Sequence, residues 1–200
     1  MKLFDYVCNT DTDGMTDLAD LNISSPNLPC GERYQGVNPA VFFDAVESVP
    51  IVKSDWTFVD LGCGKGRAIL LASLLAFKEI IGVDFSPLLT TIARENLTRF
   101  WPSLQEDCRI LILDGDAADY IFSSDKILLF LFNPFTSPVM DRVIANLIRT
   151  CECRPAEAFV VYLNPICHEL FLTSNAFEVC ISSPKFSCYR FRRKPRSRTH

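Results

Sequence analysis

The sequence predicts an α/β protein with a doubly wound, mostly parallel sheet, and three observations favour this fold. Apolar, β-branched runs alternate with amphipathic segments between residues 39 and 191. A glycine-rich turn joins the first of these runs to a helical segment. The last two runs are separated only by Ser183-Pro184-Lys185, which predicts an antiparallel hairpin at one edge of the sheet. Continuous apolar strands alternating with helices are typical of a parallel sheet that is covered on both faces.

The elements follow one another without an internal repeat or a second domain. Asn38 with Pro39, and Ser86 with Pro87, supply an N-cap and a first helical position for two of the helices. We expect helices at 40–49, 67–77, 86–100, 137–149 and 167–172. We expect strands at 57–61, 79–83, 109–113, 127–132, 158–163, 177–182 and 186–191. Five parallel strands and a terminal hairpin make a seven-stranded sheet.

The N-terminal residues 1–38 have a different character from the rest of the chain. They are polar and contain turn signals such as Asp13-Gly14 and Ser25-Pro26-Asn27. We expect an extension with one short helix, near Thr16 to Leu21, that serves either as a packed arm or as a lid over the ligand. Residues 39–191 then form the ligand-binding domain, and residues 192–200 form a basic tail.

Composition argues against a dedicated nucleic-acid binder. The chain of 200 residues carries 24 acidic and 20 basic side chains, a net charge of −4 and a pI near 5.2. The C-terminal segment is the exception, because residues 190–198 hold basic side chains and no acid: Arg190, Arg192, Arg193, Lys194, Arg196 and Arg198. The tail is open to three interpretations: a solvated terminus, an RNA- or phosphate-binding arm, or a membrane-surface contact.

Targeting signals and metal-binding patterns are not apparent. The N-terminus has acids where a signal peptide would be apolar, and no apolar run is long enough to span a membrane. We therefore expect a cytoplasmic protein whose nine cysteines are reduced thiols. The cysteine spacing matches no standard zinc pattern, so no metal is expected.

The chain is organised around the segment from Thr57 to Arg67, which reads TFVDLGCGKGR. A strand ends at Asp60, and Gly62, Gly64 and Gly66 follow at alternate positions, with Cys63 between the first two. Glycines at a strand-to-helix turn allow positive φ and a close approach of a ligand. The spacing fails the dinucleotide pattern G-x-G-x-x-G, because Arg67 and Ile69 stand where the third glycine is required, and no P-loop is present. The turn predicts a nucleotide-like ligand.

Polar residues end the other strands of the predicted sheet. Asp84, Asp116, Asn133 and Asn164 follow four of them, and the carboxyl ends of parallel strands share the edge where ligands bind. Asp84 is placed to accept the ribose hydroxyls of an adenosine, and Phe85 to pack on its adenine ring. This pair supports an adenosine-containing ligand without distinguishing NAD from other adenosine cofactors.

The pattern Asp-x-Gly-x-Gly-x-Gly resembles motif I of the class I S-adenosylmethionine (SAM)-dependent methyltransferases, which have a Rossmann-like, seven-stranded fold. The resemblance covers about residues 33–189. It includes the segments RYQGVNP, FVDLGCGKGRAILLAS, IGVDFSP, GDAAD, LFLFNPF and VVYLNP, which resemble an uncharacterised bacterial subgroup. That subgroup is distantly similar to Dot1-type lysine methyltransferases, but this likeness does not carry lysine specificity over.

The resemblance implies SAM as the cofactor and assigns roles to individual residues. It places Asp60 near the amino group of the methionine part, and Asp116 near the adenine amino group with the N–H of Ala117 on a ring nitrogen. Lys65 or Arg67 could pair with the carboxylate of SAM, although solvated surface positions are favoured for both. The implied cofactor-binding set is Asp60, Gly62, Cys63, Gly64, Gly66, Asp84, Phe85, Asp116, Ala117 and Asn133.

Asn133-Pro134-Phe135 resembles the [Asp/Asn]-Pro-Pro-aromatic motif of amino-methylating enzymes, in which the side chain and a backbone carbonyl accept hydrogen bonds from the substrate nitrogen. The second proline is missing, which weakens an assignment to DNA adenine. Asn133 is the candidate catalytic residue, and Tyr34 is a candidate substrate contact over the methyl end.

Three functions remain open from the sequence. The first is methyl transfer to an N or O nucleophile, with a small molecule or protein side chain favoured as acceptor over nucleic acid. The second is a SAM- or nucleotide-binding protein without turnover. The third, an NAD-dependent oxidoreductase, is disfavoured by Arg67 and Ile69 in the glycine turn.

Overall fold

A computed structural model describes residues 2–21, 23–100 and 108–193. Seven strands form the main sheet in the order β5-β4-β3-β6-β7-β9-β8. Their bounds are β3 Thr57–Leu61, β4 Glu79–Asp84, β5 Arg109–Asp114, β6 Lys126–Phe132, β7 Glu157–Leu163, β8 Phe177–Ser182 and β9 Phe186–Phe191. The five strands β3 to β7 are parallel, and β9 runs antiparallel to both β7 and β8. The predicted doubly wound sheet with a C-terminal hairpin is confirmed.

Helices cover both faces of this sheet. Consecutive residues of the central strand β3 pack against helices on opposite faces. Side chains alternate along a strand, so Phe58 and Val59 of β3 point in opposite directions. Phe58 belongs to a core cluster with Phe42 of α2, whereas Val59 belongs to a second cluster with Met140 of α5. The helices are α1 Lys2–Cys8, α2 Pro39–Glu47, α3 Arg67–Ser73, α4 Pro87–Phe100, α5 Ser137–Cys153 and α6 His168–Thr173.

Two of these helices differ in length from the expectation. The helix predicted to reach Phe77 ends at Ser73, and Ala76 takes a φ of 51° before the chain enters β4. This left-handed residue reverses the chain within a few positions, which allows Phe77 to be buried under the sheet. The helix predicted to end at Arg149 continues to Cys153. Element type was therefore predicted more accurately than element ends.

The N-terminal extension contains the clearest correction. The helix predicted near Thr16 to Leu21 does not form, because Met15–Thr16 is a short strand, β1, that pairs antiparallel with β2, Tyr34–Gln35. A 3₁₀ turn, Leu18–Asp20, follows. The unpredicted helix α1 precedes them. These elements are too short to carry a periodic pattern, and contacts with the domain determine them.

Arg67 joins this extension to the domain. It was expected at the surface, yet its side chain is only 1% exposed. Its Nε donates to Thr12 Oγ1 at 2.7 Å, and its Nη2 lies 3.4 Å from Asp5 Oδ2 and 3.8 Å from Asp13 Oδ1. Burial acts to raise the pKa of Asp5, but hydrogen bonds from Thr12 and Thr10 and the charge of Arg67 together lower it. An ion-pair network therefore anchors the start of the chain to the glycine turn.

Two sequence expectations concern the C-terminus and the membrane. Most of the predicted basic tail, residues 194–200, lies outside the described residues. Within the part of the chain that the structure describes, no helix is both long enough and apolar enough to cross a membrane.

Replacement of the buried arginine tests the anchoring role. Arg67→Met is expected to lower the free energy of unfolding by about 3 kcal/mol, because it leaves the partly buried carboxylates of Asp5 and Asp13 and the buried hydroxyl of Thr12 without their cation. Urea denaturation measures the change. The matched control is Arg109→Met, whose solvent-exposed pair with Glu79 is expected to contribute less than about 1 kcal/mol. Equal losses in the two variants would contradict the anchoring role.

Candidate functional site

The carboxyl ends of β3, β4 and β6 and the loop after β5 open into one cleft. Parallel strands bring these ends together, as expected at the switch point of a doubly wound sheet. The cleft is lined by ten of the eleven residues that sequence reasoning proposed: Tyr34, Asp60, Gly62, Cys63, Gly64, Asp84, Phe85, Asp116, Ala117 and Asn133. Gly66 is the exception, since it does not line the cleft.

The three glycines of the turn all have positive φ, and each has a close neighbour. Gly62, Gly64 and Gly66 have φ values of 84°, 52° and 84°. A Cβ on Gly62 would lie 2.4 Å from Pro134 Cβ, and one on Gly64 would lie 2.1 Å from Tyr34 Cδ2. Gly66 precedes α3 and faces α4. Glycine is therefore required at 62 and 64 both by the backbone and by the segments that pack on it.

The N–H groups of the glycine turn are used inside the protein. Gly62 and Cys63 both donate to Val83 O, at 2.8 and 3.1 Å. Gly64 N donates to Asp84 Oδ2, and Gly66 N donates to Cys63 O, each at 2.9 Å. These four N–H groups are therefore not free to bind a ligand. The ligand-binding groups at this end of the cleft are therefore carboxylates.

Asp60 and Asp84 are the buried carboxylates of the cleft, at 4% and 6% exposure. Burial and the nearby Asp84 charge raise the pKa of Asp60 to about 8. Burial also raises the pKa of Asp84, to about 6, although the N–H groups of Ser86 and Gly64 act against it. Among the described residues no donor reaches the carboxylate of Asp60. A buried acid without a donor favours a cationic ligand group, which would restore its charge.

Asp116 has partners that the sequence did not predict. Its Oδ2 accepts hydrogen bonds from Ser25 Oγ at 2.6 Å and Asn27 Nδ2 at 2.9 Å, while Oδ1 accepts from the N–H of Ala118. Burial acts to raise its pKa, but these donors lower it overall. Within the described chain the N–H of Ala117 has no acceptor, and Ala117 lines the cleft. A ring nitrogen could therefore be bound here, as the resemblance implied.

The N-terminal extension forms one wall of the cleft. Glu32 N donates to Pro134 O at 3.1 Å, and Thr136 N donates to Cys30 O at 2.7 Å. Gly31 bridges antiparallel to Phe135, and a Cβ on Gly31 would lie 2.8 Å from the Phe85 ring. The sequence left open whether residues 1–38 form a packed arm or a lid, and it did not identify Gly31 and Glu32 as contacts of the site. The turn signal at Ser25-Pro26-Asn27 does not indicate where a turn will pack.

The two candidate catalytic residues have different surroundings. The Tyr34 ring lies on Gly64, and its hydroxyl donates to Thr12 O at 2.7 Å. Burial raises the pKa of Tyr34. This geometry gives Tyr34 a packing role, and its contact with a substrate stays a prediction. Asn133 has a φ of 43° at the end of β6, lines the cleft, and has no side-chain hydrogen bond within the described residues. Its amide is therefore available to a bound molecule.

The raised pKa of Asp60 predicts a pH-dependent stability. The native state keeps the Asp60 proton up to about pH 8, whereas the unfolded chain releases it near the usual value of 3.8. The free energy of unfolding should therefore fall as pH rises between these values, by up to about 1.4 kcal/mol per pH unit. Asp60→Asn should remove this contribution and flatten the profile measured by urea denaturation between about pH 6 and pH 8, above the raised pKa of Asp84.

The control for this profile is Asp55→Asn, which changes an exposed carboxylate at the opposite edge of the sheet. It is expected to keep the pH dependence of the wild type. If Asp60→Asn also keeps it, Asp60 is ionised in the native state throughout this range and the assignment of its pKa is wrong.

Comparison with known proteins agrees with this geometry. Residues 58–153 match the family model of a methyltransferase domain. A stretch of 47 residues is 43% identical to ribosomal protein L11 methyltransferase of Clostridium perfringens (strain SM101 / Type A). It covers 24% of this chain and 15% of that relative, so the chain matches only a small part of it.

Two solved structures have similar folds. A ribosomal protein L11 methylase from Lactobacillus delbrueckii subsp. bulgaricus superposes with a TM-score of 0.52 and 18% identity, covering 78% of this chain and 77% of the other. A predicted N6-adenine-specific DNA methylase from Listeria monocytogenes str. 4b F2365 has a TM-score of 0.58 and 14% identity, covering 78% and 51%. Identities this low show the fold alone.

The family match runs from β3 to the end of α5, and so contains the glycine turn, Asp84, Asp116 and Asn133. The additional likeness to Dot1-type enzymes stays a prediction. Residues 58–153 therefore match a methyltransferase domain, and the chain that contains them has the Rossmann-like fold of the methyltransferases.

Proposed function

We propose that this protein transfers a methyl group from SAM to an N or O nucleophile. The observation that carries the proposal is the side chain of Asp60, which is buried, faces the cleft and has no donor among the described residues. Without a ligand this acid keeps its proton at neutral pH, and a cationic ligand group beside it would favour the ionised carboxylate. SAM carries two positive groups, an ammonium and a sulfonium, and the other buried acid of the cleft, Asp84, adds to the same negative field.

The residues that would hold SAM line the cleft. Asp60 would bind the ammonium group and Asp84 the ribose hydroxyls. Phe85 would pack on the adenine, and the N–H of Ala117 would donate to a ring nitrogen. Asp116 could accept from the adenine amino group only by sharing or exchanging its bonds with Ser25 and Asn27.

Catalysis by this chain would depend mainly on position. SAM supplies a methyl carbon that is electrophilic because a sulfonium group leaves readily. The protein would hold the acceptor in line with that carbon, and such orientation is a large part of the rate enhancement in group transfer. Asn133, at the end of β6, would accept a hydrogen bond from the acceptor nitrogen or oxygen. Phe132 and Phe135 line the same region and would help to exclude water.

The N-terminal wall bears on the class of acceptor. In the motif that Asn133-Pro134-Phe135 resembles, a backbone carbonyl accepts from the substrate, but here Pro134 O already accepts from Glu32 N. The missing second proline argues in the same direction. We infer a small molecule or a protein side chain rather than a DNA base. The partial match to ribosomal protein L11 methyltransferase is compatible with a protein acceptor.

Binding of SAM without turnover is the second candidate. The observation that favours it is the closed N-terminal wall, which occupies both Asp116 Oδ2 and Pro134 O. The two candidates share every cofactor contact and differ only at the methyl end. A variant at that end therefore separates them.

The cofactor assignment predicts the effect of removing the Asp84 charge. Asp84→Asn should weaken SAM binding by about 10- to 100-fold, because a carboxylate forms stronger hydrogen bonds to hydroxyl groups than an amide does. Isothermal titration calorimetry measures the affinity. Glu178→Gln, in the C-terminal hairpin, is the matched control and should bind SAM as the wild type does. Unchanged affinity in Asp84→Asn would contradict the ribose assignment.

The methyl-transfer assignment predicts a separation of binding from turnover in Asn133→Ala. The affinity for SAM should stay within about twofold, while transfer of a labelled methyl group to an extract of proteins, RNA and metabolites should fall at least about tenfold. Formation of S-adenosylhomocysteine (SAH) provides the second readout. A wild-type protein that binds SAM and labels nothing in such an extract would establish binding without turnover instead.

A further inference from the structure

The carboxylate of a bound amino acid needs a partner that the proposed site does not yet supply. The methionine part of SAM ends in an ammonium group and a carboxylate, and Asp60 can serve only the first. Backbone N–H groups are a common partner for carboxylates. Here the N–H groups of Gly62, Cys63, Gly64 and Gly66 are bonded within the protein. Helix α3 is only seven residues long, so its N-terminus is a weak alternative.

The two basic side chains of the glycine turn also have other partners. Lys65 Nζ lies 3.1 Å from Asp11 Oδ1 and 3.2 Å from Asp13 O, and its side chain is 13% exposed. Arg67 is buried in the network with Asp5, Asp13 and Thr12 described above. Recruiting either one for the ligand would break contacts that anchor the N-terminal extension.

Arg33 is a basic side chain of the cleft wall that does not anchor the N-terminal extension. It lines the cleft, is exposed, and has no ion pair or hydrogen bond within the described residues. Its neighbours in sequence fix its place. Glu32 N is bonded to Pro134 O, and the Tyr34 ring lies on Gly64. Because Pro134 in turn packs on Gly62, the backbone of Arg33 passes between two anchors at the glycine turn.

We propose that Arg33 binds the carboxylate of the amino-acid end of SAM. A guanidinium group presents two parallel N–H donors that match a carboxylate, and such charge-assisted pairs are stronger than neutral hydrogen bonds. The cleft would then bind the zwitterion with opposite charges, Asp60 on the ammonium and Arg33 on the carboxylate. This inference rests on the proposed function, since it concerns the cofactor of that reaction.

The test compares ligands that differ only in the carboxylate. Calorimetry on the full chain measures the affinities of SAM, SAH and decarboxylated SAM, which keeps the amine and the nucleoside. In Arg33→Gln, the affinities for SAM and SAH should fall about tenfold or more, and the affinity for decarboxylated SAM should stay within about twofold. Arg33→Lys should recover part of the loss, because it restores the charge without the bidentate geometry.

The control variant is Arg109→Gln, an exposed arginine at the amino end of β5, on the opposite edge of the sheet. It should leave all three affinities unchanged. An equal loss for SAM and decarboxylated SAM in Arg33→Gln would overturn the inference, and so would unchanged binding of all three ligands, which is the result expected if Arg33 contacts the methyl acceptor.

The failure of this inference is distinguishable from failure of the proposed function. If the wild-type protein binds SAM and the Arg33 variants show no carboxylate-specific loss, only the role of Arg33 is wrong. If the wild-type protein binds neither SAM nor SAH, the proposed function and the inference fall together.

Discussion

The glycine turn after β3 is the constraint on which the rest of the site depends. Two other segments pack on backbone atoms of this turn that a side chain would cover: Pro134 on Gly62 and the Tyr34 ring on Gly64. The positive φ of both glycines would strain other residues, and an added Cβ would overlap atoms of these neighbours. The site is therefore formed by three parts of the chain: the glycine turn, the segment of Tyr34 and the segment of Pro134. They meet at the backbone of the two glycines. A bulky residue at either position would separate them.

Two acids are buried beside this turn. Asp84 receives the N–H of Gly64, while Asp60 receives no donor from the described residues. The two acids thus differ in function although both end adjacent strands. Asp84 accepts hydrogen bonds from the protein before any ligand binds, whereas Asp60 accepts none from the described residues, and perturbed acids of this kind are typical of binding sites.

The sheet and its ligand-binding edge were predictable from the sequence because their signals are local. The apolar runs, the glycine spacing and the Ser86-Pro87 helix start each specify structure within a few residues, and Asp84 follows its strand directly. The N-terminal wall was not predictable in the same way. Ser25 and Asn27 contact Asp116 across about 90 residues of sequence, and no pattern in a single sequence encodes such a pairing.

Arg67 illustrates the same limit. Its position at the start of a helix next to a polar turn favours a solvated side chain, and only the fold shows that the N-terminal segment covers it. The extension's own elements are equally dependent on tertiary contacts: β1 and β2 are two residues each and gain their pairing partners only from each other. Short elements of this kind are specified by what they pack against.

The bonds from Ser25 and Asn27 to Asp116 have a consequence for ligand exchange. Any nucleobase that reaches Asp116 Oδ2 must compete for lone pairs that the protein's own chain already holds. The segment thus competes with the ligand for Asp116. The free energy of its hydrogen bonds to Asp116 lowers the observed affinity of the cleft for that ligand. Sequence changes at Ser25 and Asn27 would therefore change the affinity for a ligand without altering the glycine turn or the strands that carry it.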